Sequence, residues 1–406
     1  MKKPSSSAVT NAVFIGTMCA VAYLAVYLAR NILGTVSPQM EGLGIITKDQ
    51  SGTLSSLFFI TYAIGQLING ILGDKIKAKY MISFGLALAG ACNIVFALFA
   101  DQSVYTAYAA YGMTGFFLAM IYGPMTKVVA ENVEPKYAAR CSLGYNFSSF
   151  FGSPLAGILA SLFVWSTAFH VSSVALIAMG VICFVGFVWF EKKGIVRYHQ
   201  FEKPKNEQGF GQSVKVLVKH QIIKFTLVSI ITGVIRITVI YWLTTYISEY
   251  LGYTNEQAAL IYTIATLAIS GAAFVSVFVY ERLGHNMDAT LLLSFAVAAV
   301  SFLLVFFLHQ PVLNIIFMVL GVFASNCAAS MLWSCYCPKL RDTGMVSGAT
   351  GYLDFVNYIA AAIASKVFAS AVTDIGWGPL ILIWFGLMVA GVVVSLPYKK
   401  KGIVTE

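Results

Sequence analysis

Charged residues are scarce in this sequence. Of its 406 residues only 11% are Asp, Glu, Lys or Arg, while 59% are hydrophobic. A water-soluble fold could not hide so much apolar surface. The apolar residues form twelve runs, and each has about the 20 residues that a helix needs to cross the hydrocarbon core of a bilayer. The sequence therefore predicts an all-α membrane protein with twelve transmembrane helices.

Residues suited to metal binding or nucleophilic catalysis are also few. The sequence has five histidines and seven cysteines. Its closest cysteine pair, Cys335 and Cys337, has no further Cys or His at ligand spacing. No cluster of nucleophile, base and metal ligand is present in the sequence. We therefore expect no enzyme activity, no metal and no cofactor, and interpret the cysteines as small buried side chains.

Acidic residues are rare inside the apolar runs. Of seventeen Asp and Glu residues, only Asp354 lies clearly within a run, and no histidine does. A proton-driven symporter normally needs a buried titratable group, so Asp354 could carry a proton. It could instead be a fixed counter-ion for Arg236, and we favour this second role. Exchange of one anion for another needs no such proton relay.

Two arginines lie inside apolar runs with no acidic neighbour in sequence. Arg30 is in the first run, and Arg236 follows it by 206 residues in the seventh. Arginines at such depth usually face a water-filled cavity and mark a substrate or ion path. A guanidinium matches phosphate or carboxylate oxygens with two parallel donors, so two of them suit a dianion. The pair predicts an anion site, although each arginine could instead be a structural partner of Asp354 or of backbone carbonyls.

Other polar residues could complete this site. Tyr23, Tyr27 and Arg30 are spaced at i, i+4 and i+7, so they share one helix face. A single Ser or Asn in a membrane helix is more often a helix–helix contact than a ligand. The remaining candidates, all polar and all inside apolar runs, are Tyr62, Gln66, Asn146, Ser149, Asn326 and Tyr352.

The two halves of the chain repeat each other. Asp74 and Glu281 each close the second helix of a half and lie 207 residues apart, as do Gly144 and Gly351. Parallel six-helix repeats of this kind hold substrate near the membrane midplane. The predicted order is an N-terminal six-helix half, a cytoplasmic linker and a C-terminal six-helix half, at residues 1–190, 191–219 and 220–406.

Basic residues outside the apolar runs predict the orientation. Of 26 Lys and Arg residues, 22 fall at the two termini or in loops on the same side. Because cytoplasmic loops are enriched in Lys and Arg, both termini are expected in the cytoplasm. The net charge of +9 then reflects this topology, and no nucleic-acid partner is expected.

A motif at the end of the second run points to a family. The segment that resembles the signature between helices 2 and 3 of the major facilitator superfamily is Gly70-Ile-Leu-Gly73-Asp74-Lys75-Ile-Lys-Ala-Lys79. Its carboxylate can dock against a neighbouring helix N-terminus and an arginine in one conformation and release them in another. The resemblance implies the superfamily's fold of two pseudo-symmetric six-helix halves over the whole chain.

Within that superfamily the chain is similar to the organophosphate:phosphate antiporters, which include glycerol-3-phosphate and hexose-phosphate carriers. The residues that carry this similarity are Tyr23, Tyr27, Arg30, Arg236, the region of Tyr62, and Gly351-Tyr352-Leu353. The resemblance implies that the two arginines bind a phosphoryl group, and that inorganic phosphate is exchanged for an organic phosphate. Where those carriers tend to have a lysine on helix 2 and a histidine on helix 5, this chain has Gln66 and Ser149. We expect a monomer in the plasma (inner) membrane.

Two other functions stay open at this point. A facilitator for another anion, such as a carboxylate or an acidic sugar, could couple its transport to protons through Asp354. A membrane sensor would bind a phosphorylated ligand and signal to a partner, for which an extended cytoplasmic domain is expected; the tails and loops of this sequence are short.

Overall fold

The computed structural model describes residues 6–198, 200, 210–253 and 255–397, and the regular structure in these ranges is helical. The prediction of an all-α protein with twelve membrane-length helices is confirmed. The helices are α1 (Ser6–Gly42), α2 (Lys48–Lys75), α3 (Ala78–Phe99), α4 (Val104–Leu118), α5 (Tyr122–Asn132), α6 (Pro135–Leu162), α7 (Trp165–Lys192), α8 (Phe210–Lys219), α9 (Ile222–Thr245), α10 (Asn255–Ser270), α11 (Ala272–Arg282), α12 (Met287–Phe307), α13 (Pro311–Met331), α14 (Cys337–Lys339), α15 (Val346–Ile375) and α16 (Trp377–Ser395). Two of the twelve are each divided into two shorter helices, α4 with α5 and α10 with α11.

Ten helical segments within the described ranges are long and apolar enough to cross a membrane. Helices α4 and α5 together form one of them, Val104–Asn132. The sequence predicts one continuous helix there, whereas the structure breaks it at residues 119–121. Pro124 explains the break, because it has no N–H to donate to the carbonyl of Met120.

A similar effect shapes the end of α13. The next residues, Leu332–Tyr336, form a π-helical turn. Pro338 follows this turn and cannot donate to the carbonyl of Ser334. A 3₁₀ turn, Leu340–Thr343, then leads to Gly344, whose φ of 64° lies in the left-handed region that glycine tolerates. The chain thereby turns sharply into α15.

Short polar loops stop and start the membrane helices. Thr47 caps α2 in a reciprocal arrangement with Gln50, in which each backbone N–H donates to the other side chain. Ser103 and Asn286 accept from the third residue after them at the starts of α4 and α12. These caps place the starts of α2, α4 and α12 at the polar residues that interrupt the apolar runs.

Residue contacts divide the chain into two compact units. The first unit comprises Met1–Ile222 and Trp333–Ile359. In it α1 packs against α6 and α7, α3 against α4 and α7, and α2 against α4. At the contact of α2 with α4, Thr61 Oγ1 donates to the carbonyl of Gly112 at 2.6 Å. Small residues and hydroxyl groups thus replace hydrophobic attraction as the means of holding membrane helices together.

The second unit comprises Ile223–Leu332 and Ala360–Glu406. Its core is α12, which packs against α13 and α16. Asn314 on α13 accepts from the Tyr246 hydroxyl at 2.5 Å and donates to two carbonyls at the end of α12. The predicted division into halves at 1–190 and 220–406 stays a prediction; the segment between them contains α8.

Candidate anion site around Arg30

Helix α1 carries Arg30 on the same face as two tyrosines. The rings of Tyr23 and Tyr27 meet edge to face, with centroids 5.0 Å apart. Helix α6 presents Gly152 to this part of α1, and the missing side chain lets its backbone lie directly against Tyr27. The three residues of α1 that the spacing predicts to act together are therefore adjacent in the first unit.

Four aromatic rings surround the Arg30 guanidinium. Its Cζ atom lies 5.1–5.5 Å from the ring centroids of Tyr27, Phe59, Tyr62 and Tyr358. Such rings attract a cation through their electron-rich faces. The Tyr358 hydroxyl also accepts a hydrogen bond from the guanidinium. Within the described ranges no ion pair includes Arg30, so neutral groups hold this charge in place.

Two glycines let α2 and α15 approach each other closely. A Cβ atom on Gly70 would clash with the backbone of Gly351, and one on Gly351 would clash with the carbonyl of Gln66. Farther along the contact, the rings of Tyr62 and Tyr358 lie 5.3 Å apart. Residue numbers fall along α2 as they rise along α15, so the two helices are antiparallel here.

Asp354 lies on the face of α15 that packs against α2. It follows Gly351 by three residues and precedes Tyr358 by four, which places all three on one face. The carboxylate is also within electrostatic range of Tyr62. It therefore lies across from the part of α2 between Tyr62 and Gln66, in the first unit and close to the surroundings of Arg30.

The side chain of Gln66 is buried without hydrogen-bond partners. It is 0% exposed, and neither Oε1 nor Nε2 has a partner in the described part of the chain. Tyr62 lies one turn earlier on the same face of α2. A buried polar group left unsatisfied costs about 1–3 kcal/mol, so this amide is a group that a ligand could complete.

A second aromatic cluster adjoins Tyr23. The ring of Tyr122 on α5 lies 5.3 Å from that of Tyr23 and 6.0 Å from that of Trp333. Tyr145 on α6 lies 6.2 Å from Tyr23 and donates to Ser142 at 2.8 Å. These side chains add further rings and hydroxyl groups beside the face of α1 that carries Tyr23, Tyr27 and Arg30.

The glycine and aspartate motif lies at the other end of the α2–α15 contact. The Asp74 carboxylate accepts from the backbone N–H groups of Ser347 at 2.9 Å and Gly348 at 2.8 Å, in the first turn of α15. These N–H groups have no partner within the helix, and the helix dipole favours an anion there. The basic residue beside Asp74 is Lys127, whose Nζ donates to the Asp74 carbonyl at 2.7 Å, where the motif predicts an arginine. Lys75 is exposed.

The remaining predicted site residues lie on α15, α6, α13 and α9. Tyr352, one position after Gly351, is half-buried, and the α15 tyrosine that contacts Arg30 is Tyr358. The side chains of Asn146 and Ser149 lie outside the described part of the structure. Asn326 and Arg236 are half-buried in α13 and α9 of the second unit.

Sequence reasoning missed Phe59 and Tyr358. A signal for both was present, since Phe59 precedes Tyr62 by three residues and Tyr358 follows Asp354 by four. These are the spacings of one helix face. What the spacing could not give was that these two faces meet at Arg30.

Comparison with known proteins places this site in context. A family model described as Major Facilitator Superfamily matches residues 19–365. The chain is 24% identical over 250 residues to the membrane sensor protein UhpC of Salmonella typhimurium (strain LT2), a match that covers 57% of this chain and 55% of the relative. It is 20% identical to the glycerol-3-phosphate transporter of Bacillus subtilis, over 95% of this chain and 91% of the relative.

Solved structures agree on the fold. The transporter FucP in its outward conformation aligns with a TM-score of 0.72 and 15% identity, covering 95% of this chain and 98% of that one. At this identity the similarity concerns the fold alone.

Proposed function

Because the chain belongs to the Major Facilitator Superfamily, we propose that it exchanges an organic phosphate for inorganic phosphate across the membrane by alternating access. Among its relatives is a protein named as a glycerol-3-phosphate transporter. In transporters built from parallel repeats, the substrate site lies near the midplane and the two repeats rock around it. The orientation with both termini in the cytoplasm and the monomeric state are parts of the same proposal.

The observation that carries this proposal is the environment of Arg30. Its charge is inside a membrane helix, and neutral rings rather than a described ion pair hold it. A ring stabilises a cation without supplying negative charge, so the guanidinium keeps its capacity to pair with an anion. Tyrosine hydroxyls beside it can donate to phosphate oxygens without adding charge.

The remaining roles follow from charge balance. Arg236 would supply the second guanidinium that a phosphate dianion calls for. Asp354 would act as a fixed counter-ion rather than as a proton carrier. Exchange then requires no titratable relay, because one anion replaces another at each half-cycle.

The test is exchange by purified protein in liposomes loaded with phosphate. External labelled phosphate should enter the wild-type vesicles, and entry should fall at least about tenfold in Arg30→Lys and in Arg236→Lys. Lysine keeps the charge but loses the planar pair of donors. Arg282→Lys is the matched control. Arg282 is exposed at the end of α11, so this variant should exchange phosphate at the wild-type rate. A folded wild-type protein that does not exchange phosphate would refute the antiport proposal.

Ligand sensing is the second candidate, because one relative carries the name of a membrane sensor. A sensor would bind a phosphorylated ligand at the same site without completing transport. It should show thermal stabilisation by an organic phosphate in detergent and no exchange in liposomes. An antiporter should show both effects.

A further inference from the structure

Gln66 requires a different kind of ligand group from the one that Arg30 favours. Its buried amide offers two donor hydrogens on Nε2 and an acceptor on Oε1, and all are unused within the described structure. Groups such as these are satisfied only by a partner that can both donate and accept. A water molecule, a hydroxyl group or an amide meets that requirement.

A phosphoryl group does not meet it. The phosphoryl oxygens of a phosphate monoester dianion accept hydrogen bonds and have no hydrogen to donate, so they would satisfy Nε2 and leave Oε1 facing negative charge. This end of the contact between α2 and α15 favours neutral groups that donate.

One turn earlier on α2, the surroundings favour an anion. Tyr62 lies four residues before Gln66 on the same face, and its ring is one of the four around the Arg30 guanidinium. The site in the first unit therefore has two chemically distinct ends. Arg30 favours an anion, and the Gln66 amide, one turn along α2 from Tyr62, favours hydroxyl groups.

We propose that Gln66 is a specificity-determining residue that binds hydroxyl groups on the carbon skeleton of the transported organic phosphate. This inference rests on the proposed function.

The experiment compares two competitors that have the same charge and chain length. Glycerol 3-phosphate and propyl phosphate differ by two hydroxyl groups, and each is titrated against the exchange of labelled phosphate. The wild-type protein should prefer glycerol 3-phosphate by about tenfold or more, since a site built to bind a hydroxyl rejects the analogue that lacks it. In Gln66→Leu the preference should fall towards parity. Gln102→Leu makes the same change at an exposed position and should keep the wild-type preference.

A second readout covers a variant that binds but does not exchange. The rise in melting temperature caused by each ester is measured on purified wild type, Gln66→Leu and Gln66→Met. Glycerol 3-phosphate should stabilise the wild type more than propyl phosphate does, and the two esters should act equally on both variants.

The outcomes separate the two proposals. Phosphate exchange with the same competitor preference in wild type and Gln66→Leu would overturn the assignment of Gln66 and leave the antiporter intact. Absence of exchange would refute antiport. In that case a Gln66-dependent difference in melting temperature would still support hydroxyl recognition, and equal stabilisation of the wild type by both esters would overturn it.

Discussion

Gln66 and Asp74 lie eight residues apart on α2, and both meet α15, yet their hydrogen bonding is opposite. The Asp74 carboxylate accepts from two backbone N–H groups of α15. The Gln66 amide has no hydrogen-bond partner in the described part of the protein. One polar group is satisfied by the protein and holds two helices together. The other has no partner among the residues that the structure describes. The difference distinguishes a structural contact from the position on the same helix that we propose binds substrate.

The largest effect that tests this comparison is expected from Asp74→Asn. Asparagine keeps one acceptor and places an NH₂ group against an N–H of α15, so charge-assisted hydrogen bonds are lost. We expect a loss of about 2–3 kcal/mol of stability, measured as a lower melting temperature in detergent. Asp101→Asn makes the same change in an exposed turn and should melt like the wild type. Equal melting of the two variants would contradict the structural role of Asp74.

Gln66→Leu should change stability in the other direction. Removing an unsatisfied buried amide is expected to raise the stability of the ligand-free protein by about 1–2 kcal/mol. The same melting experiment measures this change, with Gln102→Leu as the control. A lower melting temperature for Gln66→Leu would show that the protein itself satisfies the amide.

Tyr358→Phe tests how Arg30 is held. The ring and its contact with the guanidinium remain, while the hydroxyl that accepts from Arg30 is removed. The loss of one such hydrogen bond, about 1 kcal/mol, should raise the half-saturation concentration for phosphate roughly fivefold. The measurement is exchange as a function of phosphate concentration. Tyr105→Phe serves as the control, since Tyr105 is 80% exposed, and a Tyr358→Phe curve that overlays it would contradict the role of the hydroxyl.

The smallest effect is expected for the pH dependence of Asp354→Asn. If Asp354 is a counter-ion, the variant and the wild type should show the same dependence of phosphate exchange on pH, whatever their absolute rates. If it carries the coupled proton, a pH-dependent uptake in the wild type should become independent of pH in the variant. Uptake in vesicles with and without an imposed pH gradient distinguishes the two cases.

The sequence predicted the face of α1 completely, because Tyr23, Tyr27 and Arg30 lie on one helix and a single period relates them. It also placed Asp354 inside a membrane helix. It did not give Phe59 or Tyr358, since their role depends on which helices touch. For the same reason it named Tyr352 on α15, whereas the contact of α2 with α15 brings Tyr358 to Arg30.

Composition and periodicity alone determined that this is a helical membrane protein with a cationic residue at depth. The apolar runs must span the bilayer, and a buried arginine must have a purpose or a partner. Only the tertiary structure decided that neutral rings, rather than a described ion pair, surround Arg30, and that Gln66 has no hydrogen-bond partner in the described chain. Local sequence fixes which side chains share a helix face. The packing between helices decides which polar groups are satisfied, and that depends on contacts between residues far apart in the chain.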